Sequence, residues 1–233
     1  MENDLTIYIG FDEKESAAFF TLAHSIMRHA SRPVKICPLN LKNLKGVYLR
    51  EYDERQSNSF SFSRFLVPYL NSFSGTAIFM DCDMLVTSDI YKVLNEVDLS
   101  QSGVAVVKHD YKSKVSTKYL GNQQYNYPRK NWSSFIVWNC AYKRNRLLTP
   151  EYIRDADAAT LHRFLWLDDN EISELDSKWN FLVGEYELTE ITPAVIHWTL
   201  GGPYFDEYGD TDYHELWSAE YDCMTHTEQI VNE

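Results

Sequence analysis

The stretch AIFMDCDMLV, residues 77–86, sets two aspartates, Asp81 and Asp83, between two apolar runs. Carboxylates seldom sit in apolar surroundings unless they are paired or bind a cation. On extended backbone, residues two apart point the same way, so both side chains can address one point beyond a strand end. A hard divalent cation, Mg2+ or Mn2+, bridging such carboxylates to the phosphates of a nucleotide suits that placement. The competing reading is a turn in which the aspartates accept from backbone amides. Two further Asp-x-Asp pairs, at 155/157 and 210/212, lie in polar surroundings and read as solvated surface.

Such a motif needs a scaffold, and the flanking sequence supplies one. LTIYIG (5–10) is rich in β-branched and aromatic residues and reads as a strand. After it, Ala18, Leu22, Ile26 and Ala30 fall four apart beside Phe19, Ala23 and Met27, the apolar stripe of a helix. Pro33 ends that helix and VKICPL supplies a second strand; residues 41–59 are polar and read as a loop. SFSRFLVPYL predicts a short helix kinked at Pro68, TAIFMD a buried strand, and DIYKVLNEV a helix capped by Ser88 or Asp89. GVAVVKH, SSFIVWN and PAVIHW read as strands, with helices over ATLHRFLWL and from Thr211 onward. Strands alternating with helices predict an α/β fold with a mainly parallel sheet. Ligands bind such sheets outside the carboxyl ends of strands. Asp12, just past the first strand, and Asp81–Asp83, at the end of a central one, therefore gain meaning from position.

The composition narrows the partners. With 34 acidic against 22 basic residues the net charge is −12, a field that repels nucleic acid and anionic membrane surfaces. Residues 1–233 show no linker, low-complexity run or repeat and read as a single domain. The N-terminal MENDLTIYIGFDEKES is acidic where a signal peptide is basic, and no stretch has the length of a transmembrane helix. Cys37, Cys82, Cys140 and Cys223 are scattered, without a CxxC pair, which fits thiols in a reducing cytoplasm.

Two activities compete for the motif. In haloacid-dehalogenase-like phosphatases the first Asp of a strand-end D-x-D is the nucleophile, but there the motif sits on the first strand and a small pair such as Gly-Thr follows. Here a strand, a long helix and a second strand come first, and Met84-Leu85 follows. That order favours a transferase acting on a nucleotide sugar.

A series of matches then resembles the retaining glycosyltransferases of family 8, the group of glycogenin and the bacterial galactosyltransferases. IGFDEKESAAFFTLAHSI resembles their opening strand and helix, SFSRFLVPYL their Arg-bearing helix, and AIFMDCDMLV their metal strand. NWSSFIVWNC resembles the strand lining the donor-sugar pocket, WLDDNEISELDSKWNFLVGEY the acidic segment, and IHWTLGGPYF the closing His motif. These keep their order over residues 7–205.

The resemblance implies a single α/β/α sandwich of the GT-A nucleotide-sugar transferase type, a UDP-sugar donor, Mn2+ or Mg2+ as cofactor, and retention of configuration. It assigns the metal to Asp81, Asp83 and His197. The donor falls to Asp12, Arg64, Asp81, Cys82, Ser133, Ser134, Lys178, Gly201 and Gly202, and the catalytic carboxylate to Asp168 or Asp169. Asp12 is equally suited to N-capping; the competing role for Arg64 is a surface salt bridge, and for His197 that of a satisfied core histidine. The other six histidines read as packing or surface residues. Three departures stand out: Gly202 replaces the family's diphosphate-binding Lys, Asp168-Asp169 stands for its Asp-Gln pair, and NWSSFIVWN lacks its small Gly. Residues 109–130 form the expected acceptor loop, and the acceptor, a glycan, lipid or protein, is not specified. A phosphatase and a nucleotide-binding protein without catalysis remain the alternatives.

Overall fold

The computed structural model describes residues 5–51, 58–110, 128–188 and 192–226. A six-stranded sheet has the order β2-β1-β3-β6-β5-β7. β1 (Leu5–Gly10), β2 (Val34–Leu39) and β3 (Thr76–Met80) pair in parallel, and β6 (Phe135–Asn139) runs against β3. β5 (Val104–Val107) lies antiparallel to β6, and β7 (Ile172–Leu175) parallel to β5, so only β6 reverses the direction. The mainly parallel α/β architecture expected from the sequence is present. β1, β3, β5 and most of β6 are buried along their length, which their near-continuous apolar runs require of strands covered on both faces.

Helix α1 (Ser16–His29) buries Ala18, Phe19, Leu22, Ala23 and Ile26, the predicted stripe, while Met27 is exposed. One hydrophobic cluster extends from Leu5 to Val195 and includes Trp138, Trp166 and Trp179.

Two predictions shift. AIFMDCDMLV is not one strand and its exit: β3 stops at Met80, and β4 (Met84–Val86) belongs to a second sheet of order β4-β9-β8. There β4 pairs antiparallel with β9 (Val195–His197), which lies parallel to β8 (Phe181–Leu182). Asp81-Cys82-Asp83 is thus the crossing between two sheets. The helix predicted over ATLHRFLWL covers only Ala158–His162 (α5), because Phe164 turns left-handed at φ 54° and returns its ring to the core.

α4 (Pro150–Asp155) is a helix not expected from the sequence, although Thr149 caps it and Pro150 takes its first turn, a legible start signal. β7 and β8 are likewise unexpected, being too short to show a period. SFSRFLVPYL forms a 3-10 turn over Ser63–Leu66 continuing into α2 (Val67–Leu70). DIYKVLNEV is helical at Lys92–Asn95 (α3), and the last helix, α6, spans His214–Thr225.

Candidate metal and nucleotide-sugar site

The parallel strands β1, β3 and β5 end at the same edge of the sheet, and β6 begins there because it runs the other way. Segment 58–66 closes over this edge because residue 10 is glycine: the Phe60 ring lies 2.2 Å from where a Cβ would stand. The closure brings Ser59 to Asp12, whose carboxylate accepts from Ser59 N at 3.0 Å and Oγ at 2.7 Å and caps the next turn through Lys14 N. Burial pushes the Asp12 carboxyl up, but these hydrogen bonds together outweigh it and hold it below the usual range. Asp12 is thus a cap and a strut.

The same closure buries Arg64. Its Nη1 lies 2.9 Å from Asp81 Oδ1 and donates to Ser133 O at 2.8 Å. The guanidinium stands 4.8 Å from the Phe79 ring centroid, a cation–π contact. The surface salt bridge considered for Arg64 gives way to a buried one, with its side chain 5% exposed.

Asp81 N donates to Ser134 O at 2.9 Å, so the crossing segment is pinned to the start of β6. Three residues on, Met84 pairs with His197 across β4 and β9, and Trp198 N donates to Asp83 O. Strand pairing therefore sets His197 against Asp83: Nε2 and Oδ1 are 3.2 Å apart, with side chains 1% and 9% exposed. These two atoms are close but not aligned as a hydrogen bond, and both are buried without a hydrogen-bond partner among the described residues. Asp81, Asp83 and His197 each offer a ligand atom, all within 4.8 Å of one another. Two carboxylates and an imidazole converging in a buried cluster fit a divalent cation, which would satisfy the orphaned atoms.

His197 is itself held from behind. Its Nδ1 lies 2.8 Å from Asn180 Oδ1, and Asn180 Nδ2 reaches Ser134 Oγ at 2.8 Å and His109 Nε2 at 2.9 Å. His109 Nδ1 contacts the Tyr186 hydroxyl. Burial, with His197 nearby, pushes His109 down to about 3, so its imidazole is neutral. Neither Asn180 nor His109 stands among the candidates from sequence. The signal for Asn180 was its place in KWNF; His109 has none, because β5 alone brings it here.

Cys82, between the two aspartates, is fully buried and donates to Glu15 Oε2 at 3.5 Å. Burial first, then the charges of Glu15, Asp83 and Asp81, push its thiol well above the usual range. Its side chain therefore packs as a neutral thiol. Ser133 Oγ meets His162 Nδ1 at 3.0 Å, and Ser134 Oγ donates to Asn131 O at 2.7 Å. Gly201 (φ 128°) and Gly202 are buried in the turn after β9, where a Cβ would fall 2.7 Å from the Tyr208 ring and 2.6 Å from the Tyr204 ring, respectively.

Three candidates stand apart. Asp168 and Asp169 precede β7, at the strand end opposite the one β3 contributes, and are exposed. Asp168 pairs with Arg144 at 2.7 Å and closes a capping box with Glu171; Asp169 pairs with Arg129. Lys178 pairs with Glu96 at 2.9 Å. Residues 111–127, most of the expected acceptor loop, lie outside the described residues.

No protein-family model matches the chain. Among solved structures, the glycosyltransferase GlyE of Streptococcus pneumoniae TIGR4 superposes with a TM-score of 0.62 at 16% identity, over 99% of this chain and 66% of its own. The bifunctional glycosyltransferase WbbM gives 0.61 at 15% identity, and this chain spans only 50% of its length. The galactosyltransferase LgtC, crystallised with donor and acceptor sugar analogues, gives 0.56 at 11% identity over 95% of this chain and 97% of its own. Identities this low establish the fold, the GT-A fold of glycosyltransferases. Protein CDI of Arabidopsis thaliana is 41% identical over 220 residues, covering 92% of this chain and 85% of that protein, and the chain belongs to the family of Protein CDI.

Proposed function

We propose that this chain is a metal-dependent glycosyltransferase that takes a sugar from a nucleotide sugar, UDP-linked, and passes it to an acceptor hydroxyl with retention, as in the family 8 enzymes it resembles. The observation that carries the reading is the buried Asp83–His197 pair with Asp81 beside it, at the carboxyl edge of the main sheet of a GT-A fold. Asp81, Asp83 and His197 would hold the ion, and an imidazole among oxygen ligands suits Mn2+, with Mg2+ as the other candidate. When bound, the ion would offset charge on the departing diphosphate. Arg64, whose planar fork suits oxyanions, lies against Asp81 and sets the local charge balance. Asp12, Ser133, Ser134, Gly201 and Gly202 are proposed to line the donor. Residues 1–233 are proposed as one catalytic domain. The four free thiols support a reducing compartment, the cytoplasm. Among the described residues, no helix is long and apolar enough to cross a membrane.

A second reading, nucleotide binding without turnover, is favoured by one feature. Asp168 and Asp169 lie at the strand end opposite the one β3 contributes and are engaged by Arg144 and Arg129.

A thermal-shift screen of nucleotide sugars with and without Mn2+, coupled to an assay of UDP release, tests both. A ligand at a hundred times its Kd stabilises by ~2.7 kcal/mol, which raises the Tm of a chain this long by roughly 5–10 °C. That rise is expected with UDP or a UDP-sugar plus Mn2+, and is expected to vanish on chelation and in Asp83→Asn. Stabilisation without UDP release in any acceptor mixture selects the second reading. No stabilisation by any nucleotide in any metal overturns both.

A further inference from the structure

We propose that Asn180 and His109 are positioning residues that hold His197 as its Nδ1–H tautomer, leaving the Nε2 lone pair facing Asp83 for a cation. The inference deepens the metal-site reading above and rests on it for its purpose, though not for its geometry.

The network admits two consistent arrangements. In the first, the Asn180 amide NH2 donates to Ser134 Oγ and His109 Nε2, and its carbonyl accepts from His197 Nδ1–H. In the second the amide is turned over: its carbonyl accepts from Ser134 Oγ–H and His109 Nε2–H, and its NH2 faces His197 Nδ1. His197 then carries its proton on Nε2 and donates it to Asp83. The first leaves two acceptors face to face, which a bound cation reconciles; the second completes the site without one.

Two contacts select the first. Ser134 Oγ lies 2.7 Å from Asn131 O, a group that only accepts, so the hydroxyl proton is spent there and Oγ must receive from Asn180. At 3.2 Å from Asp83, an Nε2–H would also be expected to point along the contact, yet the pair is not aligned as a hydrogen bond. His109 completes the logic: its Nε2 is within 2.9 Å of Asn180 Nδ2 and receives a proton only when its own hydrogen sits on Nδ1, where the Tyr186 hydroxyl can accept it. One register thus runs from Tyr186 through His109 and Asn180 to His197. Partners of this kind orient a ligating histidine and raise its basicity, and their loss typically weakens metal binding 10- to 100-fold.

¹⁵N-histidine NMR of the metal-free wild-type protein at pH 7.5 reads the tautomer directly. His197 is expected as Nδ1–H with Nε2 unprotonated; His197 as Nε2–H overturns the proposal, whatever the protein binds. A second measurement follows free Mn2+ by electron paramagnetic resonance. Asn180→Leu is expected to weaken Mn2+ binding 10- to 100-fold. His109→Leu, which frees the amide to turn over, should weaken it in the same direction and make the His197 ¹⁵N signals a mixture of tautomers. His109→Gln, whose side-chain oxygen can still accept from Asn180, should restore the Nδ1–H form. Mn2+ affinity equal to wild type in a folded Asn180→Leu protein overturns the positioning role. Wild-type protein that binds no Mn2+ instead removes the metal-site reading, and the tautomer spectrum still decides the present one. Should Asn180→Leu fail to fold, the wild-type spectrum and the His109 pair decide it.

Discussion

Arg64 illustrates how burial changes what a residue can be asked to do. Read from sequence, Arg64→Ala costs donor contacts alone; in the structure its guanidinium sits against Asp81 with almost no solvent. Removing one member of a buried ion pair leaves an uncompensated charge, typically costing about 3–5 kcal/mol. Arg64→Ala should therefore lower the urea midpoint of the metal-free protein substantially. Adding Asp81→Asn should recover part of the loss, because the stranded charge is gone. If Arg64→Ala alone unfolds at the wild-type midpoint, the buried pair does not hold the site together. Gly202, which sequence resemblance sets at the place of a lysine in the family 8 enzymes, has no room for a side chain. Besides the Tyr204 ring, any Cβ there would fall 2.9 Å from Trp198 Cβ. The packing of Trp198 and Tyr204 excludes the side chain.

Among the elements, α6 is held through α1 and the cluster under β9. It packs on α1, where the buried Glu220 carboxylate receives His24 Nδ1 at 2.6 Å and Arg28 Nη2 at 3.0 Å. It also lays Trp217 against Phe181, Ile196 and Trp198, the cluster under β9. The carboxylate contacts one partly exposed cation and one half-buried imidazole, so Glu220→Ala should cost about 1–3 kcal/mol once solvent screening is allowed for. The cost should fall on local opening: hydrogen exchange at α6 amides speeds up, while β1 and β3 keep their protection. Equal loss of protection in β1 would show α6 to be part of the global unfolding unit instead.

At the scale of the molecule, the folded state keeps an imidazole neutral that the unfolded chain would protonate. Burial holds His109 at about 3, against about 6.5 in the unfolded chain. Between those values the unfolded state binds more protons, so stability rises with pH. The contribution is complete above 6.5 and is lost progressively as pH falls toward 3. The slope for one such group is about 1.4 kcal/mol per pH unit, so about 2 kcal/mol disappears between pH 7 and 5. His162, partly open to solvent, is pushed the same way by burial and by Arg64 and Arg50. Urea titrations at pH 7 and 5 should show this loss, and His109→Gln should flatten it. An equal slope in the variant would trace the acid sensitivity to other groups.

The sequence by itself determined the local elements and the chemistry on offer. The α1 stripe, the apolar runs of β1, β3, β5 and β6, and the Asp-Cys-Asp motif are short-range patterns, written in neighbouring residues and legible without a fold. The 155/157 and 210/212 pairs were legible too, as exposed surface. What one chain segment cannot contain is its partner. His197 became a candidate by resemblance, but its facing of Asp83 is a fact of register between β4 and β9, strands more than a hundred residues apart in sequence. Arg64 was legible as a donor-contacting cation, but its burial against Asp81 was not, because that depends on Phe60 closing over Gly10, a contact between elements. Asp168 and Asp169 were placed by likeness of sequence, whereas β7, too short to show a period, pairs with β5 and sets them at the opposite strand end. Only the tertiary structure could show Asn180 and His109 behind the site, because a hydrogen-bond register joining three segments has no signature in any one of them.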